Sequence, residues 1–160
     1  IPDRVRPHFA VHAQDRQGRA NGKGFYLYEE GKRGPQHDPE VDRIIDGVRE
    51  ELGYASRAIS EEEIHQRLFC ALVNAGAHLL GEGVALRPGD IDVVYHFGYS
   101  FPIYRGGPMH YADQVGVNNV YKAVVSFHEQ YGELWEPAPL LKELAESGKT
   151  FAQWQEEQVG

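Results

Sequence analysis

The chain has 160 residues, of which 41% are hydrophobic and 25% are charged, and its formal net charge at pH 7 is -8. This length suits one folded domain, and the composition is typical of a globular protein. The negative charge argues against non-specific nucleic-acid binding, which depends on clustered Lys and Arg side chains. No apolar run is long enough to span a membrane, and the single cysteine, Cys70, excludes an internal disulfide. We therefore expect an intracellular, reducing environment.

The first part of the sequence predicts irregular structure. The chain begins at Ile1 and its only methionine is Met109, so we expect a processed product or, preferably, a piece of a longer protein. Residues 1–37 are expected to form a partly helical lead-in and a connecting turn. Within them, the glycine-rich residues 17–24 predict a turn, and the aromatic residues that follow predict a short extended or looped segment.

Residues 38–160 are expected to form one helical domain. Asp38 suits the cap and Pro39 the first position of a helix that ends at Gly53. A capping box from Ser60 to Glu63 opens a second, longer helix. Its broad apolar stripe predicts a central buried helix. The stripe consists of Ile64, Leu68, Leu72, Ala75 and Leu79, widened by Phe69, Val73 and Leu80.

The remaining sequence predicts five more helices. They are a short helix over Pro88 to Phe97, two helices over residues 109–116 and 118–132, and two short ones over residues 138–148 and 150–157. In the helix over 118–132, Val120, Val124 and Phe127 share one face. Thr150 is expected to cap the last helix. The predicted fold class is all-α, with several helices and at most one short extended segment.

The patterns that usually mark catalysis or metal binding are missing from the sequence. None of the eight histidines stands in a metal-binding motif or has ligand spacing with a carboxylate on one helix face. Cys70 lies in the middle of a predicted helix, where a buried and inert thiol is expected. The glycines of residues 17–24 lack the spacing of a phosphate loop. We therefore expect no catalytic residue and no metal site.

One segment, FGYSFPIYRGGPMHYADQVG at residues 97–116, is too apolar for an ordinary solvated loop and too broken for one helix. The Arg105 guanidinium there suits a carboxylate or phosphate, and the next two glycines allow close backbone approach. The alternative, which an apolar loop favours, is an ion pair between Arg105 and Asp90, Asp92 or Asp113. Asn74 either faces a ligand cleft or bridges backbone groups, and the second is favoured. The candidate substrate-binding residues are Asn74, Tyr104, Arg105, Gly106 and Gly107.

Four segments together resemble a known family. They are GKGFYLY (residues 22–28), DIDVVY (90–95), YRGGPM (104–109) and WEPAPLL (135–141). This combination resembles the C-terminal helical domain of 3-hydroxyacyl-CoA dehydrogenases, and more closely the dehydrogenase half of multifunctional fatty-acid β-oxidation enzymes. The likeness runs from about Gly18 to Trp154. The chain departs from the family pattern at Ala75, where a Glu is frequent, and at Ile103, where the family has a positive charge.

The resemblance implies a parent enzyme with an N-terminal Rossmann domain that binds NAD and carries a His–Glu pair. The helical region of such enzymes closes over acyl-CoA and mediates pairing between domains or subunits. The Rossmann glycine fingerprint and the catalytic histidine segment are missing from this sequence. We therefore expect a fragment of an NAD-dependent (3S)-3-hydroxyacyl-CoA dehydrogenase, inactive alone and binding no NAD alone. The expected partners are the missing Rossmann domain, acyl-CoA and a second copy of the chain.

Two alternatives to the fragment stay open. The first is a free-standing helical interaction or dimerisation module that descends from such a domain. The second is an acyl-CoA-binding domain that uses Arg105 and Asn74.

Overall fold

The computed structural model describes Asp3 and residues 6–159. In this part of the chain there are eight α-helices and no β-sheet. The helices are α1 (Arg6–His12), α2 (Pro39–Leu52), α3 (Glu61–Gly81), α4 (Pro88–Tyr99), α5 (Pro108–Val115), α6 (Val117–Tyr131), α7 (Pro139–Ser147) and α8 (Phe151–Val159). Among the described residues, β-type pairing is limited to three isolated bridges, Gly18 with Lys23, Lys23 with Leu27, and Leu27 with Gln36. The all-α class is confirmed.

The chain divides into two compact units, Ile1–Ala58 and Ile59–Gly160. The domain boundary expected between residues 37 and 38 stays a prediction. Helix α1 gives the expected lead-in its helical part, and the expectations for residues 1, 2, 4 and 5 lie outside the described residues. No described helix combines the length and the apolar character that a membrane crossing requires.

In the first unit, a buried ion pair holds the irregular segment between α1 and α2. Arg16 Nη2 lies 2.5 Å from Asp38 Oδ2, and Arg16 Nη1 donates to the carbonyl of Gly24 at 2.9 Å. The hydrogen bond from Arg16 lowers the pKa of the Asp38 carboxyl. Asp38 Oδ1 also accepts the backbone N–H of Glu40 at 3.0 Å, so this carboxylate caps α2 as predicted.

In the second unit, α3 to α8 enclose one apolar core. The side chains with no exposed surface come from α3, α5, α6, α7 and α8, and include Val73, Ala77, Met109, Val124, Leu141, Leu144 and Phe151. The predicted face of α6 is confirmed, because Val120, Val124 and Phe127 are all buried in this core. The predicted caps are also present, since Ser60 accepts the N–H of Glu63 and Thr150 accepts that of Gln153.

Helix α3 buries only part of the apolar stripe that the sequence predicts. Its buried side carries Cys70, Val73, Ala77 and Leu80. From the predicted stripe, Ile64, Leu68, Ala75 and Leu79 are exposed, and Leu68 keeps 63% of its surface accessible. The prediction of a central buried helix is therefore wrong for these four positions of the stripe. A stripe of apolar side chains marks surface that favours burial, but it does not establish that these 160 residues contain the partner that buries it.

Candidate functional site

The turn between α4 and α5 holds four of the five candidate residues. After α4, Ser100 takes a left-handed conformation with φ 55°, and the 3₁₀ turn Ile103–Arg105 follows. Gly106 and Gly107 come next with φ of 75° and 113°, values in the region that favours glycine. The two glycines therefore let the chain reverse direction and begin α5 at Pro108.

Asp92 on α4 fixes the start of α5. Its carboxylate accepts the backbone N–H groups of Met109 at 2.8 Å and His110 at 3.1 Å. A Cβ atom on Gly107 would lie 2.4 Å from this carboxylate, closer than any side chain tolerates. Burial raises the pKa of the Asp92 carboxyl, and the two N–H donors oppose that rise. Gly107 is thus explained by the cap that α4 provides to α5.

Two further glycines permit close packing around α5. A Cβ atom on Gly106 would lie 2.2 Å from the ring of His110. On α3, a Cβ atom on Gly76 would lie 2.6 Å from the sulfur of Met109. The glycines of this region therefore permit the close contacts between α3, α4 and α5.

Arg105 lies against aromatic rings. Its guanidinium carbon is 4.7 Å from the ring centre of Tyr111 and 5.7 Å from that of Tyr104. Such contacts between a guanidinium and a ring face are favourable and orient the planar group. Tyr111 in turn meets Phe69 edge to face, with 4.9 Å between the ring centres.

The predicted ion pair of Arg105 is wrong. Within the described residues, Asp90 pairs with Arg87 at 2.6 Å, and Asp92 caps α5. Asp113 accepts the N–H groups of Phe151 at 2.8 Å and of Ala152 at 3.1 Å, and so caps α8. Each aspartate has a donor elsewhere, so the Arg105 guanidinium makes ring contacts and no ion pair among residues 6–159.

Arg105 also lines a cleft of about 250 Å³ between α3, α5 and α6, which we name the Arg105 cleft. Its apolar wall consists of Phe69, Cys70, Tyr111, Val115, Val120 and Ala123, and its polar rim of Glu62, His65, Gln66 and Asn119. Burial raises the pKa of the Cys70 thiol to about 11, so this cysteine is neutral and unreactive at pH 7. Among the described residues, no group of three or more His, Cys, Asp or Glu side chains is placed to hold a metal ion.

Asn74 lies away from the Arg105 cleft and has a structural function. Its Nδ2 donates to the carbonyl of Glu136 at 2.8 Å, and its Oδ1 accepts the N–H of Ala138 at 2.8 Å. The amide therefore ties α3 to the segment that leads into α7, the bridging alternative that the sequence favoured. The structure thus brings Tyr104, Arg105 and the two glycines together, and separates Asn74 from them.

Helix α4 and the turn after it carry several apolar side chains that are exposed to solvent. We name this the α4 surface and define it as Val93, Val94, Phe97, Tyr99, Ile103 and Tyr104. The exposed fractions of Phe97, Ile103 and Tyr104 are 89%, 82% and 83%. Single exposed apolar side chains are ordinary, but several close together indicate an interaction site.

Comparison with known proteins decides the family. The sequence model of the 3-hydroxyacyl-CoA dehydrogenase C-terminal domain matches residues 64–156, more than half of the chain. The chain belongs to this family. The match contains α4, α5, the turn between them and most of α3, so the Arg105 cleft and the α4 surface are parts of a 3-hydroxyacyl-CoA dehydrogenase C-terminal domain.

Relatives of this dehydrogenase domain come from animals and bacteria. The chain is 38% identical over 147 residues to the peroxisomal bifunctional enzyme of Danio rerio, a match covering 89% of this chain and 20% of that protein. It is 36% identical over 140 residues to a fatty acid oxidation complex subunit alpha of Shewanella, covering 87% of this chain and 19% of the other. The chain thus spans about a fifth of the length of these relatives.

A solved structure also matches the dehydrogenase domain. It is the (S)-3-hydroxybutyryl-CoA dehydrogenase of Ralstonia eutropha, with 25% sequence identity and a TM-score of 0.50. The match covers 72% of this chain and 41% of that enzyme. Together with the sequence relatives, this likeness confirms the family resemblance drawn from the four segments.

Two functional features of the site were missed by the reasoning from sequence. The capping aspartates Asp92 and Asp113 were considered only as partners of Arg105, and their acceptor roles depend on residues 17 and 38 positions further along the chain. The exposed α4 surface was missed as well. The run of apolar residues within DIDVVYHFGY carries a signal for it, because that run exceeds what one buried face of a helix needs.

Proposed function

We propose that the chain is the C-terminal portion of an NAD-dependent (3S)-3-hydroxyacyl-CoA dehydrogenase of fatty-acid β-oxidation. In this proposal the parent enzyme oxidises the 3-hydroxyl group of an acyl-CoA to a ketone, and this portion packs on the remaining domains. The observation that carries the proposal is the exposed α4 surface in a chain that spans a fifth of its relatives' length. Such a surface has a natural partner in the remaining four fifths.

The described residues offer no Rossmann-type site for a nicotinamide cofactor. A dinucleotide site of the Rossmann type needs a β-strand that leads through a glycine-rich turn into a helix. The described residues contain isolated bridges and no strand that leads into a helix. We assign the NAD site and the base that takes the hydroxyl proton to the Rossmann domain of the parent. The 160 residues alone are accordingly proposed to bind no NAD and to be inactive.

The first experiment measures NADH formation from a (3S)-3-hydroxyacyl-CoA by the purified chain alone and after addition of the separately expressed remainder of the parent. We expect no turnover from the chain alone, and complex formation with the remainder. Phe97→Ser should weaken that complex, while Leu86→Ser, which changes an exposed apolar side chain outside the α4 surface, should not. Turnover by the chain alone that survives repurification would overturn the proposal.

The α4 surface also favours a second candidate, a free-standing interaction or dimerisation module. The two copies would then cover each other's exposed apolar side chains. Sedimentation of the chain separates the candidates. A stable dimer that Phe97→Ser dissociates, together with a native gene that encodes only these residues, would favour the module.

Substrate contact by the candidate residues is part of the same proposal. Arg105, beside Tyr104, Gly106 and Gly107, is the group suited to an anionic part of acyl-CoA, whereas Asn74 already uses its amide in the bridge to Glu136 and Ala138. Substitution of Arg105 by Lys tests this contact, because Lys keeps the charge and loses the planar fork. Unchanged acyl-CoA affinity with a lower Tm would contradict a binding role. We propose an intracellular location on the same grounds, since relatives include peroxisomal enzymes.

A further inference from the structure

We propose that the Arg105 cleft binds a small free monocarboxylate with an apolar body, such as hexanoate. The cleft is lined by residues of this chain alone. A free acid there is an alternative to the acyl-CoA contact of Arg105 considered above, and it leaves the other parts of the proposed function unchanged. Its occupant would be held by the Arg105 guanidinium at the carboxylate end and by the aromatic and aliphatic wall along the chain of methylene groups.

The charge at the cleft points to an anion. The Arg105 guanidinium lies over the Tyr111 ring, and it has no ion pair within the described residues. A guanidinium in contact with a ring keeps N–H groups free for other acceptors, and these match the two oxygens of a carboxylate. Asp92 and Asp113 already accept hydrogen bonds elsewhere, which leaves Glu62 as the carboxylate that lines the cleft together with Arg105.

The wall of the cleft points to an apolar body on that anion. Phe69 and Tyr111 meet edge to face, and Val120 and Ala123 of α6 complete the side opposite to them. Cys70 contributes a neutral thiol at the base, because burial raises its pKa to about 11. A methylene chain placed here would replace water against apolar groups, and each buried methylene should tighten binding by about fourfold.

The volume of the cleft favours a small ligand. Its volume of about 250 Å³ lies below the range of roughly 300–1,000 Å³ that is usual for pockets of drug-sized ligands. A whole coenzyme A molecule is much larger than such a ligand and does not fit. A short fatty acid does fit, with its carboxylate at Arg105.

Two other titratable side chains line the rim, Glu62 and His65, both exposed in the first two turns of α3. Glu62 is an acidic side chain and therefore opposes an anionic ligand. Removal of the Glu62 carboxylate should therefore raise the affinity for hexanoate, whereas removal of the Arg105 guanidinium should lower it.

The experiment titrates the chain with hexanoate, with the neutral hexanamide and with coenzyme A, and follows backbone and side-chain resonances by NMR. We expect saturable shifts with hexanoate at Phe69, Tyr111 and Ala123, and at least tenfold weaker binding of hexanamide, since bonds to charged groups are the stronger ones. Coenzyme A should neither shift the resonances of these three residues nor displace hexanoate from the cleft. Binding of coenzyme A in the cleft, or equal affinity for hexanoate and hexanamide, would overturn the inference.

Variants locate the site. Arg105→Gln should weaken hexanoate binding by roughly tenfold or more, and Glu62→Gln should strengthen it by about twofold. Ala123→Leu should weaken both hexanoate and hexanamide by filling the apolar wall. Arg87→Gln removes the same charge outside the cleft and is expected to change nothing. Thermal unfolding checks each variant, and the surface change Glu62→Gln keeps the test decisive if Arg105→Gln lowers stability.

An absence of saturable hexanoate binding by the folded chain would refute the inference, as would Arg105→Gln and Arg87→Gln having the same effect. Neither result would touch the proposed dehydrogenase role, which depends on the α4 surface and on complex formation with the rest of the parent.

Discussion

Helices α4 and α6 are both rich in apolar side chains, but they differ in how much of that surface the chain itself covers. On α6, Val117, Val120, Val124 and Phe127 all lie in the core. On α4, Ile91 is buried, whereas Phe97 and its apolar neighbours on the α4 surface are open to solvent. The apolar face of α6 is therefore buried by other residues of the chain, whereas the apolar side chains of α4 are buried on one side only. The difference identifies the α4 surface as apolar area that the described residues leave uncovered.

The largest effect is expected where α4 meets α5, on the covered side of α4. Gly107→Ala would place a Cβ atom 2.4 Å from the Asp92 carboxylate, at a backbone φ of 113°. We expect a loss of about 3 kcal/mol or more in the unfolding free energy, measured by urea denaturation. Gly98→Ala is the matched control on α4, because a Cβ atom there meets nothing within 4 Å. Equal stability of the two variants would show that the α4–α5 contact is looser than described.

The next effect compares one residue type on the two helices. Val124 of α6 has no exposed surface, whereas Val94 of α4 is 56% exposed. Val124→Ala should lower the unfolding free energy by about 2 kcal/mol, because it opens a cavity in the core. Val94→Ala should change it by less than about 0.5 kcal/mol in the isolated chain. Similar losses in both variants would mean that something in the chain covers α4, and would break the comparison.

Removal of one acceptor from the cap of α5 should have a smaller effect. Asp92→Asn leaves one side-chain oxygen for the N–H groups of Met109 and His110, so we expect a loss of about 1–2 kcal/mol at pH 7. The pH dependence gives a second readout. Burial raises the pKa of Asp92, so the folded state binds the proton more tightly, and this stabilising contribution is lost as pH rises through the raised pKa.

The stability of the wild type relative to Asp92→Asn should therefore fall as pH increases through the interval between the ordinary and the raised pKa of the carboxyl. Urea denaturation of both proteins across the acidic range measures that difference. A relative stability that rises over the interval would show that the two N–H donors outweigh burial.

The smallest effect on stability is expected for Phe97→Ser on the α4 surface. Phe97 is almost fully exposed, so its replacement should alter the unfolding free energy by less than about 0.5 kcal/mol. The same change should reduce binding of a hydrophobic dye and self-association at high concentration, since it interrupts an apolar patch. Unchanged dye binding would show that the α4 surface is not the main exposed apolar area.

Local signals in the sequence were sufficient for most of the fold. Asp38, Ser60 and Thr150 lie within three residues of the N–H groups that they accept, and all three caps were predicted. The period of α6 also identified its buried face. These features depend on neighbours along the chain, which a single sequence displays directly.

The site was harder to predict because its partners are distant in sequence. Asp92 and Asp113 were assigned to Arg105, yet the start of a helix offers each of them two N–H donors in fixed positions. For Asn74 the sequence left two alternatives, a ligand cleft or a bridge between backbone groups. The backbone partners could not be named because they lie 62 and 64 residues away. The prediction for α3 failed for a different reason, because periodicity shows which side chains share a face but not whether another element covers that face.

Backbone amides in the first turn of a helix have no carbonyl acceptor within that helix, and they ordinarily exchange their protons with water quickly. At α5 and α8 the first-turn N–H groups of Met109 and Phe151 instead donate to Asp92 and Asp113 on other helices. Their deuterium uptake is therefore governed by separation of α4 from α5 and of α5 from α8. Slow exchange at these two amides reports intact helix pairs, and faster exchange there marks the opening of a pair before either helix unwinds.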